Sequence, residues 1–120
     1  MDQAAILSTA RTPIGKAYRG TFNDTDAPTL ASFSIKASID KVGLDPSEIE
    51  DVILGAAVQQ GSQGYNIGRL SAVSSGLPVH VPGMSVDRQC ASGLMAIAIG
   101  AKQIACLLYT SDAADDSIRV

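Results

Sequence analysis

Short apolar runs along the chain predict strands that are separated by helices. Residues 4–7 and 52–58 are continuously apolar, as in strands buried on both faces of a sheet. Residues 84–88 place Met84 and Val86 on one side of an extended chain, with polar residues between them, which predicts a third short strand. Strands that alternate with helices in this way are typical of an α/β domain with a largely parallel sheet.

Local end signals predict where the first two helices begin and end. Pro28 has a fixed φ that suits the start of a helix, and Gly43 suits a left-handed end. Residues 45–48, Asp-Pro-Ser-Glu, predict a single capped turn. Asn66 is a favourable cap for a second helix, which Gly76 ends.

The third predicted helix, residues 91–104, is small or aliphatic on nearly every side. A helix without a polar face has to be buried all round. Cys90 lies immediately before it, where free backbone N–H groups and the helix dipole favour a thiolate, the reactive form of cysteine. A free cysteine is also often just a small buried apolar residue. Position alone leaves both interpretations open.

The segment Arg88-Gln89-Cys90-Ala91-Ser92-Gly93-Leu94 resembles the nucleophile motif of the thiolase family, the acetyl-CoA acetyltransferases and 3-ketoacyl-CoA thiolases. Residues 10–15, 52–55 and 61–69 are also similar to thiolases, and the resemblance runs in register to about residue 104. It implies that residues 1–104 are part of a thiolase N-terminal domain. The implied fold is α/β, with a mostly parallel mixed sheet and a buried central helix.

The resemblance also implies a function. Cys90 is expected to attack an acyl-CoA and hold the acyl group as a thioester, and its backbone N–H is expected to help form an oxyanion hole. Coenzyme A thioesters are then the substrates, and no cofactor is bound permanently. The family's second cysteine and its catalytic histidine belong to motifs far downstream, so the chain alone is expected to be inactive. A homodimer or homotetramer is implied, with the strand at 84–88 pairing with its twin. A related ketosynthase and a non-catalytic thiolase-like protein are the alternatives.

Composition and charge limit the classes of protein to which the chain can belong. The 120 residues suffice for one modest domain, and 46% hydrophobic content with 18% charge indicates a globular chain. The net charge of −3 argues against a nucleic-acid partner. No apolar run is long enough for a membrane span and no secretory signal is visible, so the cytoplasm is the expected location. One histidine and two cysteines without ligand spacing make a metal site implausible.

Several other residues carry weaker signals. His80 lies in a proline-flanked loop that does not match the family's catalytic histidine, which favours a structural or solvent role. The glycines of 61–69 lack the endings of phosphate-binding loops, so a flexible active-site or subunit-contact loop is expected. The basic residues available to meet coenzyme A phosphates are scattered and are assigned no such contact; they are Arg11, Lys16, Arg19 and Arg69.

Residues 105–120 depart from the family pattern. They resemble translated sequencing-adapter sequence, and we expect them to be a non-family, artefactual tail. A divergent acidic terminus is the alternative. Cys106 is therefore not interpreted as a second catalytic cysteine.

Overall fold

The computed structural model describes residues 3–106. In this part of the chain, three helices and two strands follow in the order α1, β1, α2, β2, α3, with a 3-10 turn before β1 and another before α2. Their bounds are α1 Ala27–Val42, β1 Val52–Gly55, α2 Ile67–Ser74, β2 Gly83–Val86 and α3 Ser92–Ala105, and the 3-10 turns are Pro46–Glu48 and Gly61–Gln63.

The two strands form a parallel pair that α2 connects. Val52 pairs with Gly83 and Gly55 with Val86. Beyond the ladder, the Ala56 N–H donates to the Val86 carbonyl at 2.9 Å. Parallel neighbours need a crossover connection, and α2 supplies it. The α/β class with a parallel sheet is confirmed.

The predicted helix ends are confirmed to within one residue. α1 begins at Ala27, one residue before Pro28, and Gly43 ends it at φ 66°. The Asp26 carboxylate, which the sequence did not mark, caps this helix by accepting from the Thr29 N–H at 3.3 Å. In the first 3-10 turn, the Ser47 N–H donates to Asp45 at 2.8 Å, and Glu48 accepts from the Asp45 N–H at 2.9 Å. This reciprocal pair is the capping box expected from the sequence.

The core lies between α2, the sheet and α1. Ala72, Leu77 and Val81 are buried together, and half-buried apolar residues of α1 and β1 pack against them. Their apolar area is the main source of stability in this part of the chain. Between Gln3 and Cys106, no helix is long and apolar enough to cross a membrane.

The strand predicted for residues 4–7 was wrong. Residues 3–16 have no regular structure, and Ile6 and Leu7 are 73% and 70% exposed. A strand needs a neighbour for its backbone hydrogen bonds, whereas this segment is bonded to α1. The Ser8 hydroxyl donates to the Ser38 carbonyl at 2.6 Å, and Lys41 donates to the Thr9 carbonyl.

The other two strands are shorter than predicted. β1 ends at Gly55 instead of residue 58, and β2 ends at Val86 instead of Arg88. β1 is half-buried and not buried on both faces as predicted, and β2 is half-buried as well. At Gly55 the backbone of Ser92 lies so close that an added Cβ would overlap it, so α3 begins where the strand ends.

The third helix is also less buried than its apolar sequence predicted. Ser92 and Ala96 are buried, but Leu94 and Ile97 remain 71% and 58% exposed. α3 packs mainly on β1 and to a smaller extent on β2. One layer covers one face of a helix, so its opposite face is left open.

Candidate active site

Cys90 lies in a tight turn between β2 and α3. Gln89 is left-handed, with φ 52°, and its N–H donates to the Asp87 carboxylate at 2.8 Å. The N–H groups of Ala91 and Ser92 donate to the carbonyls of Arg88 and Gln89, each at 3.1 Å. These local bonds define the backbone on both sides of the cysteine.

The Ser92 side chain ties the two sides of this turn together. It is buried, and its hydroxyl accepts from the Arg88 N–H at 2.9 Å and donates to the Gln89 carbonyl at 2.6 Å. Ser92 follows Cys90 in the chain, whereas Arg88 and Gln89 precede it. The Ser92 hydroxyl therefore closes the turn that contains the cysteine. A closed turn of this kind holds a side chain in a defined place.

The first turn of α3 rests directly on β1. An added Cβ on Gly55 would overlap the backbone of Ser92 and come within 2.5 Å of the Gly93 nitrogen. Only glycine permits this approach of helix to strand. The start of α3, and with it the Cys90 turn, is therefore supported by the sheet.

Cys90 itself is a free, exposed thiol. Its backbone forms an isolated bridge with that of Arg88. Ala91, the residue before the first helical residue, supplies no side-chain cap to the N–H groups of α3. The structure thus places Cys90 at an open helix start, and its catalytic role stays a prediction.

The other residues that the sequence singled out as functional candidates lie outside the Cys90 turn. His80 is exposed in the loop before β2. Arg69 is engaged by that loop, because its guanidinium donates to the carbonyl of Val81 and, at 3.0 Å, to that of Val79. Gly68 is a packing residue, since an added Cβ would overlap the backbone of Met84.

An apolar groove runs along β1 and α3. It has a volume of about 580 Å³, and Ile53, Leu54, Ala96 and Ile97 are among its lining residues, whereas Cys90 is not. No group of three or more possible metal ligands occurs between residues 3 and 106.

The sequence did not reveal the hydrogen bonds that Asn66 makes to β2. The sequence marked it as a helix cap, and its carboxamide oxygen does accept from the Arg69 N–H at 3.3 Å. The same side chain also donates to the Gly83 carbonyl at 2.8 Å and accepts from the Ser85 hydroxyl at 3.0 Å. No local pattern signals a bond to a strand that lies a whole helix further along the chain.

The motif around Cys90 sits within a longer match to known proteins. The family model described as thiolase, N-terminal domain, matches residues 4–110. The chain belongs to the thiolase family. The predicted break near residue 104 stays a prediction, and residues 107–120 lie outside the described residues.

Curated thiolases resemble the chain closely enough to align over most of it. A 3-ketoacyl-CoA thiolase of Bacillus subtilis is 38% identical over 104 residues, which are 87% of this chain and 27% of that protein. An acetyl-CoA acetyltransferase of Cupriavidus necator is also 38% identical over 104 residues, 87% of this chain and 26% of its own. The peroxisomal 3-ketoacyl-CoA thiolase 5 of Arabidopsis thaliana is 41% identical over 97 residues, 81% and 21% of the two chains. The chain spans about a quarter of the length of these thiolases.

Proposed function

We propose that this chain is the nucleophile-bearing part of a thiolase that acts on coenzyme A thioesters, with Cys90 as the nucleophile. The observation that carries the proposal is the exposed thiol on a closed turn at the start of α3, inside the segment that matches the thiolase family. An activated nucleophile needs access to substrate together with a fixed position. Cys90 has both.

In the condensation direction, the proposed first step is acyl transfer from a coenzyme A thioester to sulfur. The Cys90 thiolate attacks the thioester carbonyl, a carbon–sulfur bond forms, and the coenzyme A thiolate leaves. One thioester replaces another, so the acyl group stays activated for the second step. We propose that the Cys90 N–H donates to the oxyanion that develops during attack.

The two directions differ in both steps. In thiolysis, the Cys90 thiolate attacks the 3-keto carbonyl of a 3-ketoacyl-CoA, a carbon–sulfur bond forms and the adjacent carbon–carbon bond breaks. Acetyl-CoA leaves as its enolate and takes up a proton, and a thiolate of coenzyme A then takes the acyl group from Cys90. In condensation, the α-carbon of acetyl-CoA attacks instead, after a base has removed its proton. The names of the relatives, 3-ketoacyl-CoA thiolase and acetyl-CoA acetyltransferase, cover both directions. We therefore propose reversible carbon–carbon bond formation and cleavage.

The test is labelling of the full-length protein that contains this chain. Iodoacetamide should alkylate Cys90 much faster than a model thiol at neutral pH, with loss of thiolase activity, and acetyl-CoA should protect the same sulfur. Cys90→Ser should abolish turnover, whereas Ser74→Ala, at an exposed position of α2, should retain it. Activity lost while Cys90 is unlabelled would remove it as the nucleophile.

The parental gene sequence that follows residue 104 provides an independent test. A second cysteine in a glycine-rich motif and a Gly-His-Pro segment should follow in the same reading frame. Their absence would favour a non-catalytic thiolase-like protein. The homo-oligomeric state and the cytoplasmic location stay predictions.

A further inference from the structure

We propose that Asn66 is a positioning residue for Cys90, acting through β2. The inference rests on the proposed function, because it assigns Asn66 a part in placing the thiolase nucleophile. Three hydrogen bonds carry it. The Asn66 carboxamide donates to the Gly83 carbonyl at 2.8 Å, accepts from the Ser85 hydroxyl at 3.0 Å, and accepts from the Arg69 N–H at 3.3 Å.

The backbone at Asn66 distinguishes it from an ordinary helix cap. Cap residues normally have extended backbone, as Asp26 does with φ −69° and ψ 151°. Asn66 instead has φ 60° and ψ 72°, and Tyr65 before it has φ 54°. Left-handed residues other than glycine cost free energy and persist where their surroundings hold them. Capping α2 does not require this conformation, whereas aiming the carboxamide at β2 accounts for it.

Close packing makes the link between α2 and β2 stiff. An added Cβ on Gly68 would overlap the Met84 backbone, and one on Gly83 would lie 2.6 Å from the Arg69 Cα. Helix and strand therefore touch through their backbones, with no side chain between them to absorb a shift. The Gly68 N–H also donates to the Ser85 hydroxyl at 3.0 Å, which brings that hydroxyl into the same network.

The strand carries this constraint to the nucleophile. β2 ends at Val86, whose carbonyl accepts from Ala56, and the closed turn that holds Cys90 follows immediately. In the described part of the chain β2 has one strand neighbour, β1, so its other support comes from α2. A displacement of β2 therefore moves the base of the Cys90 turn. An error of about 1 Å in the place of a reacting group can cost roughly a hundredfold in rate.

The decisive variant is Asn66→Asp in the full-length protein. Aspartate also caps helices and tolerates a left-handed backbone, so α2 should persist. The aspartate side chain cannot donate to the Gly83 carbonyl, and one of its carboxylate oxygens would instead repel that carbonyl oxygen. We expect kcat to fall roughly tenfold or more while KM stays within about twofold, since attack and not substrate binding depends on the sulfur's position. Asn23→Asp, the same change at an exposed loop residue, is the matched control and should leave both constants unchanged.

Variants of Ser85 in β2 test the part of the hydrogen-bond network that runs through its hydroxyl. Ser85→Ala removes the hydroxyl that links Asn66 to Gly68 and should lower kcat. Ser85→Thr keeps the hydroxyl on a side chain that suits a strand and should restore most of it. Ser74→Ala, at an exposed position of α2, should have no effect. Equal kcat values for Ala and Thr at residue 85 would overturn the assignment.

Hydrogen exchange separates this inference from the proposed function. In Asn66→Asp, the amides of Gln89, Ala91 and Ser92 should exchange roughly tenfold faster or more, while those of α1 keep the parent rate. This readout needs no turnover. Faster exchange in a protein without thiolase activity would support the link between Asn66 and the Cys90 turn and reject the function. Unchanged exchange and unchanged kcat in a folded Asn66→Asp protein would overturn the link and leave the function standing.

Discussion

At the scale of single residues, the two aspartate caps are polar groups whose charge state affects local structure. The pKa of Asp45 is lowered, chiefly because the Ser47 hydroxyl donates to its carboxylate and then because the Ser47 N–H does so. The pKa of Asp26 is lowered chiefly by hydrogen bonding from Thr29. In both, the charged carboxylate is the form that the folded chain favours.

The first prediction concerns pH and Asp45. The pKa of Asp45 is lower in the folded chain than its ordinary value of 3.8. The charged cap therefore stabilises the turn fully above that pH, and this stabilisation is lost as the pH falls through the folded pKa. Protection factors of the Glu48 and Ile49 amides should therefore drop below pH 3.8. Asparagine caps without titrating, so Asp45→Asn should flatten the profile. Asp24→Asn, at an exposed aspartate outside the caps, should not. Identical profiles for parent and Asp45→Asn would refute this role.

The second prediction concerns a buried hydroxyl. Within residues 3–106, the Ser71 Oγ is fully buried and has no hydrogen-bond partner. Leaving such a group unpaired costs about 1–3 kcal/mol. Ser71→Ala should raise the free energy of unfolding by about 1 kcal/mol, measured by urea denaturation. The exposed Ser74→Ala on the same helix should change it by less than about 0.5 kcal/mol. A destabilised Ser71→Ala protein would show that the hydroxyl has a partner in solution.

At the scale of elements, α2 and β2 meet through glycine backbone, and this contact gives the third prediction. Gly68→Ala puts a methyl group into the Met84 backbone and should destabilise the fold by about 1–3 kcal/mol in spite of alanine's better helix propensity. Gly100→Ala is the matched control. There the nearest atom to an added Cβ is the Ile53 Cδ1 at 3.8 Å, so alanine should stabilise α3 by about 0.5–1 kcal/mol. Urea denaturation of both variants should show opposite signs, and the same sign would contradict the packing argument.

Elements with local signals were predictable from the sequence, and those that depend on distant neighbours were not. Asp45 and Asn66 begin their elements and Gly43 ends α1, each through bonds within a few residues, and the sequence marked all three. The position of Cys90 at a helix start was readable for the same reason. The strand expected at residues 4–7 failed because strand formation depends on a partner elsewhere in the chain. The reach of Asn66 to Gly83 was missed because that bond spans a whole helix.

At the scale of the whole molecule, one side of the fold is open. The groove along β1 and α3 is flanked by Ile97, which is 58% exposed, and Leu94 on the same helix is also exposed. The acidic residues Glu48, Glu50 and Asp51 also line the groove, but exposed apolar side chains of this kind tend to associate. Since the chain spans about a quarter of its relatives, we expect the remainder of a thiolase to cover this side.

The fourth prediction concerns the chain of 120 residues expressed alone. It should be inactive and should self-associate, as measured by sedimentation velocity and a thiolysis assay. Ile97→Lys places a charge in the groove and should reduce association. The matched control Ile14→Lys makes the same change at a residue that is exposed but outside the groove, and it should not. A monomeric parent chain, or equal effects of the two lysines, would count against the groove as the associating surface.

The parallel pairing of β1 with β2 also determines the order in which the active site can be assembled. Val52 cannot meet Gly83 until the ribosome has released all of α2 and the loop after it. Pairing of strands far apart in sequence is slow, because the entropy of closing the intervening loop is lost first. Both strands and α2 precede Cys90 in the chain, so this frame leaves the ribosome before the thiol that it supports. The turn itself closes last, because the Ser92 hydroxyl that bonds to Arg88 and Gln89 follows Cys90 in the chain. During synthesis Cys90 is therefore released before the side chain that fixes its surroundings.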